Sequence, residues 1–93
     1  MDASIIIPTR NRSQILQETL GALAALDFPT RQWEVVVVDD GSEDDTASVF
    51  ESVVSAHALS ARLVRQKGLG PAAARNRGAR EARGRYLVWI DDD

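Results

Sequence analysis

Four short apolar runs divide the chain, and each has the length and residue types of a buried β-strand. They cover residues 4–7, 33–38, 61–64 and 86–90. The second run contains four consecutive valines, Val35–Val38, with no polar residue between them. Because this run does not alternate, both of its faces should be covered, as in a parallel sheet between two layers of helices.

The segments between these runs carry apolar residues at helical spacing. In the first segment Leu16, Leu20 and Leu23 recur three or four positions apart, which predicts one apolar helix face. A third helix is predicted over residues 71–82, with a proline at its first turn and Gly84 as its stop signal. The second helix is predicted from the apolar face formed by Val49, Phe50, Val53 and Val54.

Polar and proline residues mark the borders of these helices. Asn11 or Ser13 is expected to cap the first helix, and Phe28-Pro29 is expected to end it. Asp44 or Asp45 is expected to cap the second helix, because acidic side chains accept the free N–H groups at a helix N-terminus.

The resulting order, βαβαβαβ, predicts one α/β domain over residues 1–93. We expect a Rossmann-like, three-layer arrangement with a parallel sheet and the strand order 3-2-1-4. Parallel strands end at the same edge, so Pro8-Thr9, Asp39-Asp40 and Asp91–Asp93 should gather there. The two acidic clusters would lie about 10 Å apart, a distance that one nucleotide could bridge. Open α/β sheets bind ligands at this edge, where the strand order reverses.

Composition removes several classes of site. The chain has no cysteine, which excludes disulfides and thiolate metal sites, and its single histidine, His57, cannot form a histidine-based zinc site alone. A net charge of −3 argues against nucleic-acid binding. No apolar stretch reaches the roughly 18 residues of a membrane span, and no signal peptide opens the chain, so we expect a cytoplasmic location.

Phosphate binding would need an unusual arrangement here. The turn after the first strand, residues 8–12, lacks the glycines of a dinucleotide fingerprint, and there is no Walker A sequence. A divalent cation on carboxylates is the obvious alternative, because oxygen ligands suit Mg²⁺ and Mn²⁺. Asp91, Asp92 and Asp93 supply such carboxylates. The competing interpretation of this run is a solvated acidic turn.

Two further groups of polar residues are candidates for ligand contacts. A carboxylate of Asp39 or Asp40 could accept hydrogen bonds from a base or a ribose, or could close a tight turn. Arg75, near the start of the third helix, could face the nucleotide or belong to a solvated arginine face. Trp33 and Trp89 lie in predicted strands and are expected in the core.

Taken in order, four segments resemble the family 2 glycosyltransferases, which have the GT-A fold. The resemblance extends over nearly the whole chain. The four segments are Ile5–Arg12, Val37–Ser42 with Asp45-Thr46 after it, Gly70–Gly78, and Tyr86–Asp93.

The resemblance implies a nucleotide-diphosphate-sugar donor, usually a UDP-sugar, whose sugar is transferred with inversion to an acceptor hydroxyl. It implies that Asp40 contacts the base, that Pro8 and Thr9 line the same pocket, and that Asp39 supports the contact. Asp91–Asp93 would match the DxD motif, with Asp93 and Asp91 on Mg²⁺ or Mn²⁺ and with Asp91 or Asp92 on ribose or sugar. The predicted nucleotide site therefore consists of Pro8, Thr9, Asn11, Asp39, Asp40, Arg75, Asp91 and Asp92.

One departure from the family pattern is large. Family members continue past the DxD motif into an acceptor-binding half that carries the catalytic base, so we expect that base beyond residue 93. By itself the chain is expected to bind a nucleotide without transferring sugar. Bacterial polysaccharide or lipid glycosylation is the pathway that the resemblance implies, with any membrane association through other regions. The alternative hypotheses are a non-catalytic nucleotide- or metal-binding module and a dehydrogenase fragment, the latter opposed by the missing glycine fingerprint.

Overall fold

A computed structural model describes residues 1–26 and 32–91 of the chain. Within them, strands and helices alternate in the predicted order. The elements are β1 (Ala3–Thr9), α1 (Ser13–Ala24), β2 (Trp33–Asp40), α2 (Thr46–His57), β3 (Ala61–Gln66), α3 (Pro71–Glu81) and β4 (Tyr86–Trp89).

The four strands form one parallel sheet with the order β3-β2-β1-β4, which confirms the predicted topology. In the register of the sheet Thr9 lies beside Asp39, and Asp40 lies beside Gln66. The carboxyl ends of β1, β2 and β3 therefore end side by side. The strand order reverses at β1, which has β2 on one side and β4 on the other.

Helices cover both faces of the sheet, as the valine run predicts. Val35 and Val37 pack on one face in a cluster that includes side chains of α1 and α2. Val36 and Val38 pack on the other face with Ala74 of α3. All four valines are fully buried. The absence of alternation in the sequence thus corresponds to a strand that has helices above and below it.

Helix α3 lies unusually close to the sheet because of one glycine. A Cβ atom at Gly78 would collide with Cγ2 of Ile6 and would lie 3.3 Å from Cγ2 of Val38. Ala74, one turn earlier on the same face, is also buried. The small residues of this face therefore determine how closely the helix approaches β1 and β2.

The predicted caps are only partly correct. Helix α1 begins at Ser13 with Arg12 at the N-cap position and no side-chain cap, so the prediction of Asn11 or Ser13 as its cap is wrong. Asp45 occupies the N-cap position of α2, but its side chain makes no capping bond. Instead Oδ1 of Asp44 accepts the N–H of Thr46 at 3.1 Å. The predicted helix end at Phe28-Pro29 lies outside the described residues.

The two tryptophans differ in burial. Trp33 in β2 is buried, as expected, whereas Trp89 in β4 is 43% exposed, so its prediction as a core residue is wrong. The reason is the position of its strand. β4 lies at the edge of the described sheet, and all four of its residues are exposed.

A buried acid stabilises the amino end of the sheet. Glu34 in β2 is 3% exposed and accepts hydrogen bonds from Ser4 Oγ at 2.7 Å and from the N–H of Arg83 at 2.8 Å. Its other oxygen accepts from Nε and Nη2 of Arg62 at 3.3 and 3.2 Å. Ser4 Oγ in turn accepts the N–H of Gly84 at 2.8 Å. This network, Ser4–Glu34–Arg62, links β1, β2 and β3 to the loop before β4.

The electrostatics of Glu34 follow from these contacts. Burial alone would raise the pKa of Glu34, but the hydrogen bonds from Ser4, Arg83 and Arg62, with the charge of Arg62, outweigh it and lower the pKa below its ordinary value. The side chain is therefore an anion that is fully engaged by donors. In residues 1–26 and 32–91, no helix has the length and apolar character needed to cross a membrane.

Candidate functional site

A pocket of about 320 Å³ lies at the carboxyl edge of the sheet, beside the point at which the strand order reverses. Its walls come from the ends of β1 and β2, from the start of α3 and from Asp91, which lies two positions after β4. Five predicted site residues line it: Pro8, Thr9, Asp40, Arg75 and Asp91. The topology therefore brings together residues that are up to 83 positions apart in the chain.

Asp40 forms the floor between β2 and the loop before α3. Its Oδ1 accepts the N–H of Leu69 at 2.8 Å and Nε2 of Gln66 at 2.9 Å. Its Oδ2 accepts the N–H of Gly70 at 2.9 Å. The residue is 5% exposed and still lines the pocket. Three donors from the end of β3 and the loop after it therefore converge on a single buried carboxylate.

The charge of Asp40 is stabilised in spite of its burial. Burial alone would raise the pKa of Asp40, but the hydrogen bonds from Gln66, Leu69 and Gly70 lower it, and the positive charge of Arg10 adds to them. The net result is a pKa below the ordinary value. Asp40 therefore presents an anionic acceptor at the pocket.

Asp39 does not line the pocket, although it precedes Asp40 directly. Its side chain is fully buried, and Oδ1 accepts the N–H of Ser42 at 2.9 Å, which closes the turn after β2. Its Oδ2 lies 3.2 Å from Nε of Arg65. This geometry corresponds to the tight-turn alternative, and the supporting role implied by the family resemblance stays a prediction.

Asn11 lies in the neighbouring turn and is not among the residues that line the pocket. Its backbone has a positive φ of 53°, its N–H donates to Ser42 Oγ at 2.8 Å, and its Oδ1 accepts the N–H of Glu43 at 2.7 Å. These bonds fasten the turn after β1 to the turn after β2. The predicted nucleotide contact of Asn11 is not tested by this arrangement and stays a prediction.

Arg75 and Asp91 face each other across the mouth of the pocket. Nη2 of Arg75 lies 3.0 Å from Oδ1 of Asp91, and the two side chains are 48% and 55% exposed. The pair connects the first turn of α3 with the end of β4. Asp92 and Asp93, the other members of the predicted acidic run, lie outside the described residues.

Five lining residues were not predicted from the sequence as site residues. Arg10 and Arg12 belong to the turn after β1, so their position at the carboxyl edge could have been inferred from the same topology that places Thr9 there. The others form the start of α3 and face the pocket through backbone or small side chains. They are Gly70, Pro71 and Ala74.

The lining has a cationic character. Three arginines and two carboxylates border the pocket. Both carboxylates already have hydrogen-bond partners: Asp40 accepts the N–H groups of Leu69 and Gly70, and Asp91 pairs with Arg75. Arginine guanidinium groups match the geometry of phosphate oxygens. The pocket thus combines a buried anionic acceptor at its floor with positive charge around it, which suits a ligand that has N–H donors and an anionic group.

The pocket has one carboxylate at its mouth, that of Asp91, which could be a ligand of a metal ion. Among the described residues, no three acidic or histidine side chains meet in a cluster that could hold a cation. Asp91 contributes a carboxylate that borders the pocket. Carboxylate oxygens are suitable ligands for Mg²⁺ and Mn²⁺. The donor chemistry of Asp91 therefore fits such an ion, with further ligands required from elsewhere.

Comparison with known proteins decides the family. Residues 4–93 match the family model described as glycosyl transferase family 2. The chain belongs to glycosyl transferase family 2. This result confirms the resemblance that the four sequence segments indicate.

Two relatives show how much of a longer protein the chain matches. Poly(ribitol-phosphate) β-N-acetylglucosaminyltransferase TarS of Staphylococcus aureus is 36% identical over 93 residues, which are 100% of this chain and 16% of TarS. The validoxylamine A glucosyltransferase of Streptomyces hygroscopicus subsp. jinggangensis is 43% identical over 90 residues, which are 95% of this chain and 21% of that enzyme. The chain therefore spans less than a quarter of either relative.

Solved structures confirm the GT-A type of fold. Staphylococcus aureus TarS 1–349 in complex with UDP-GlcNAc matches with a TM-score of 0.90 and 35% identity, over 100% of this chain and 27% of that chain. The mannosyltransferase PcManGT from Pyrobaculum calidifontis, in complex with GDP-Man and Mn²⁺, matches with a TM-score of 0.91 and 34% identity. That match covers 98% of this chain and 27% of PcManGT.

Proposed function

We propose that residues 1–93 form the donor-binding part of a glycosyltransferase, which binds a nucleotide-diphosphate sugar, by preference a UDP-sugar, together with a divalent metal ion. The observation that carries the proposal is the pocket in which Pro8, Thr9, Asp40, Arg75 and Asp91 come together. It lies at the switch point of a parallel sheet, where ligands of open α/β sheets bind. The reaction is inverting transfer of the sugar to an acceptor hydroxyl.

The base of the nucleotide is assigned to the floor of the pocket. Asp40 is an anion at this point, so it accepts hydrogen bonds and favours a base that presents an N–H group, as uracil does. Pro8 and Thr9 line the same pocket. Asp39 contributes through the turn that it closes with Ser42.

The diphosphate is assigned to the arginine-bordered side. Arg10, Arg12 and Arg75 line the pocket and offer guanidinium groups to phosphate oxygens. Asp91, with Asp93, would hold Mg²⁺ or Mn²⁺, and Asp92 would meet ribose or sugar. When bound, the cation neutralises charge on the departing nucleoside diphosphate. The relatives PcManGT and TarS support this assignment, since they are complexed with GDP-Man and Mn²⁺ and with UDP-GlcNAc respectively.

Transfer also requires a general base for the acceptor hydroxyl. Asp40 is unsuited to that role, because a carboxylate whose pKa is lowered is a weaker base. We therefore assign the base to a residue other than Asp40, and its expected position beyond residue 93 stays a prediction. The cytoplasmic location stays a prediction.

Calorimetric titration with UDP, with and without Mn²⁺, tests the donor site. We expect Mn²⁺-dependent binding of UDP by the wild type, loss of binding in Asp40→Ala, and weaker binding of GDP and NAD⁺. Asp45→Ala is the matched control, because Asp45 is an exposed acid of the neighbouring turn whose side chain caps nothing. A chain that circular dichroism shows to be folded, and that binds no UDP with Mn²⁺ present, would contradict the proposal.

A further inference from the structure

We propose that Asp40 has a second role as the positioning residue of the pocket wall: it fixes the loop of residues 66–70, and through that loop the start of α3, against the end of β2. The inference rests on the proposed function for the identity of the ligand. It differs from a direct contact with the base, because here the carboxylate acts on the ligand through the backbone that it holds.

The three hydrogen bonds of Asp40 come from residues 66–70, which are the last residue of β3 and the loop after it. Leu69 and Gly70 donate backbone N–H groups at 2.8 and 2.9 Å, and Gln66 donates its side-chain amide at 2.9 Å. Both carboxylate oxygens are used. Bonds from neutral donors to a buried charged acceptor are stronger than bonds between neutral groups. The loop is therefore fastened at two consecutive amides and at its first side chain.

Two further contacts press the same loop against the ends of β1 and β2. Gly41 follows Asp40 with a φ of 82°, and a Cβ atom placed on it would lie 2.7 Å from the backbone nitrogen of Gly68. The guanidinium carbon of Arg10 lies 3.4 Å from the position of a Cβ on Gly68. The loop thus packs backbone to backbone on the turn after β2, with an arginine over it.

The loop continues directly into residues that face the pocket. Gly70 and Pro71 line it, and so do Ala74 and Arg75 in the first turn of α3. A displacement of the amide of Gly70 therefore moves the wall and changes the direction in which Arg75 enters the pocket. Asp40 controls this displacement because its Oδ2 holds that amide.

An asparagine at position 40 weakens the hold of the side chain on the loop, which hydrogen exchange measures separately from UDP binding. The side chain keeps its shape and one acceptor oxygen, which we expect to stay on the two donors Leu69 and Gln66. The NH₂ group then takes the place of Oδ2 and cannot accept the N–H of Gly70, so that amide loses its partner. Leu69 offers a complementary change. It is exposed and does not line the pocket, and Leu69→Pro removes one donor while the carboxylate of Asp40 remains intact. Leu69→Ala keeps the donor and is the matched control.

Amide hydrogen exchange followed by NMR, together with UDP titration in the presence of Mn²⁺, tests the inference. In Asp40→Asn we expect exchange at Gly70 to accelerate roughly tenfold or more, with no change at Arg83 and Gly84 at the opposite end of the sheet. UDP should bind less tightly to Asp40→Asn. It should also bind less tightly to Leu69→Pro than to Leu69→Ala.

The outcomes separate this inference from the proposed function. The inference is overturned if Asp40→Asn loses UDP binding while exchange at Gly70 is unchanged and the two Leu69 variants bind UDP equally well. Asp40 would then act only by direct contact with the ligand. Faster exchange without any change in UDP affinity also overturns it. If the wild type binds no UDP, the proposed function fails, and the exchange rates alone then decide whether Asp40 holds the loop.

Discussion

The two ends of strand β2 each carry a buried carboxylate, and the two serve different purposes. Glu34 at the amino end is surrounded by donors from Ser4, Arg62 and Arg83, and none of these residues lines the pocket. Asp40 at the carboxyl end also has donors from three residues, Gln66, Leu69 and Gly70, yet it borders an open pocket. Both residues have a lowered pKa. A buried, hydrogen-bonded carboxylate thus links the strands at one end of the sheet and borders the candidate ligand site at the other.

The comparison also explains the different origin of the donors. Around Glu34 one donor is the charged side chain of Arg62, so the network is an ion pair between neighbouring strands. Around Asp40 the donors are two backbone amides and a neutral amide side chain. The hydrogen-bond donors of Asp40 are neutral, with Arg10 adding positive charge nearby, whereas Glu34 accepts hydrogen bonds directly from the guanidinium of Arg62. We expect mutations at the first end to affect stability and mutations at the second to affect binding.

The largest effect on stability should come from Glu34→Ala. Removing the carboxylate leaves Ser4 Oγ and the N–H of Arg83 without this acceptor and reduces the partners of Arg62 to its contacts with Glu81, so we expect a loss of about 3 kcal/mol in the free energy of unfolding. Urea denaturation measures it. Glu51→Ala, at an exposed position of α2, is the control and should change stability by less than about 0.5 kcal/mol. Equal effects of the two variants would contradict the importance of the network.

A smaller effect on stability is expected where the second half of α3 packs on the sheet. Gly78→Ala places a methyl group against Ile6 and should reduce stability by about 2 kcal/mol, because the helix or the Ile6 side chain must shift to make room. Gly21→Ala in α1 is the matched control, because a Cβ there meets no atom within 4 Å. The control should stabilise by up to about 1 kcal/mol, because alanine favours helix. Thermal unfolding of the two variants measures the difference in stability. A change in stability of the same sign in both variants would contradict close packing of α3 on the sheet at Gly78.

The acid dependence of stability compares the two carboxylates directly. Because each pKa is lower in the folded state, the stabilisation is present above the ordinary values of 4.5 for Glu34 and 3.8 for Asp40 and is lost as the pH falls through the folded values. Each group adds at most about 1.4 kcal/mol per pH unit in that window. Urea midpoints between pH 2.5 and 6 should show a shallower decline in Glu34→Gln and in Asp40→Asn. Unchanged slopes in both variants would mean that other acids cause the decline.

The smallest effect on stability is expected for the pair at the pocket mouth. Arg75 and Asp91 are about half exposed, and exposed ion pairs contribute less than about 1 kcal/mol. Arg75→Gln should therefore leave the unfolding free energy nearly unchanged but weaken UDP binding about tenfold at low salt, because a charge-assisted bond to phosphate is lost. Calorimetry at two salt concentrations measures this. Arg77→Gln is the control, since Arg77 pairs with Glu81 and does not line the pocket; equal weakening in both would point to a general loss of positive charge.

The sequence predicted the architecture well because the architecture follows from periodicity. The unbroken valines of β2 require two covered faces, and the alternation of strands and helices requires a parallel sheet. Pro8, Thr9, Asp40 and Asp91 could be placed at one edge for the same reason, since each follows a strand. Arg10 and Arg12 obey the same rule and could have been included.

Details that depend on the partner of a side chain were predicted less well. Asn11 was expected to cap α1, but its oxygen accepts the N–H of Glu43 in a neighbouring turn. Trp89 was expected in the core, but its strand lies at the edge of the described sheet. Asp39 and Asp40 are identical residues in adjacent positions, and the pattern of the sequence does not say which of them faces the pocket. Their side chains point to opposite sides of β2, so the sheet decides that Asp39 closes a turn and Asp40 lines the site.

By itself the sequence determined the order of strands and helices, the parallel sheet, the glycosyl transferase family and the edge at which polar residues collect. It could do so because these features depend on residues that are close together in the chain or on motifs in a fixed order. The tertiary structure decided which carboxylates are anions enclosed by donors, since the donors of Asp40 come from residues 66–70 and those of Glu34 from as far as Arg83. Contacts between such distant residues exist only after the sheet has formed, which is why the shape and charge of the pocket could not be read from the chain alone.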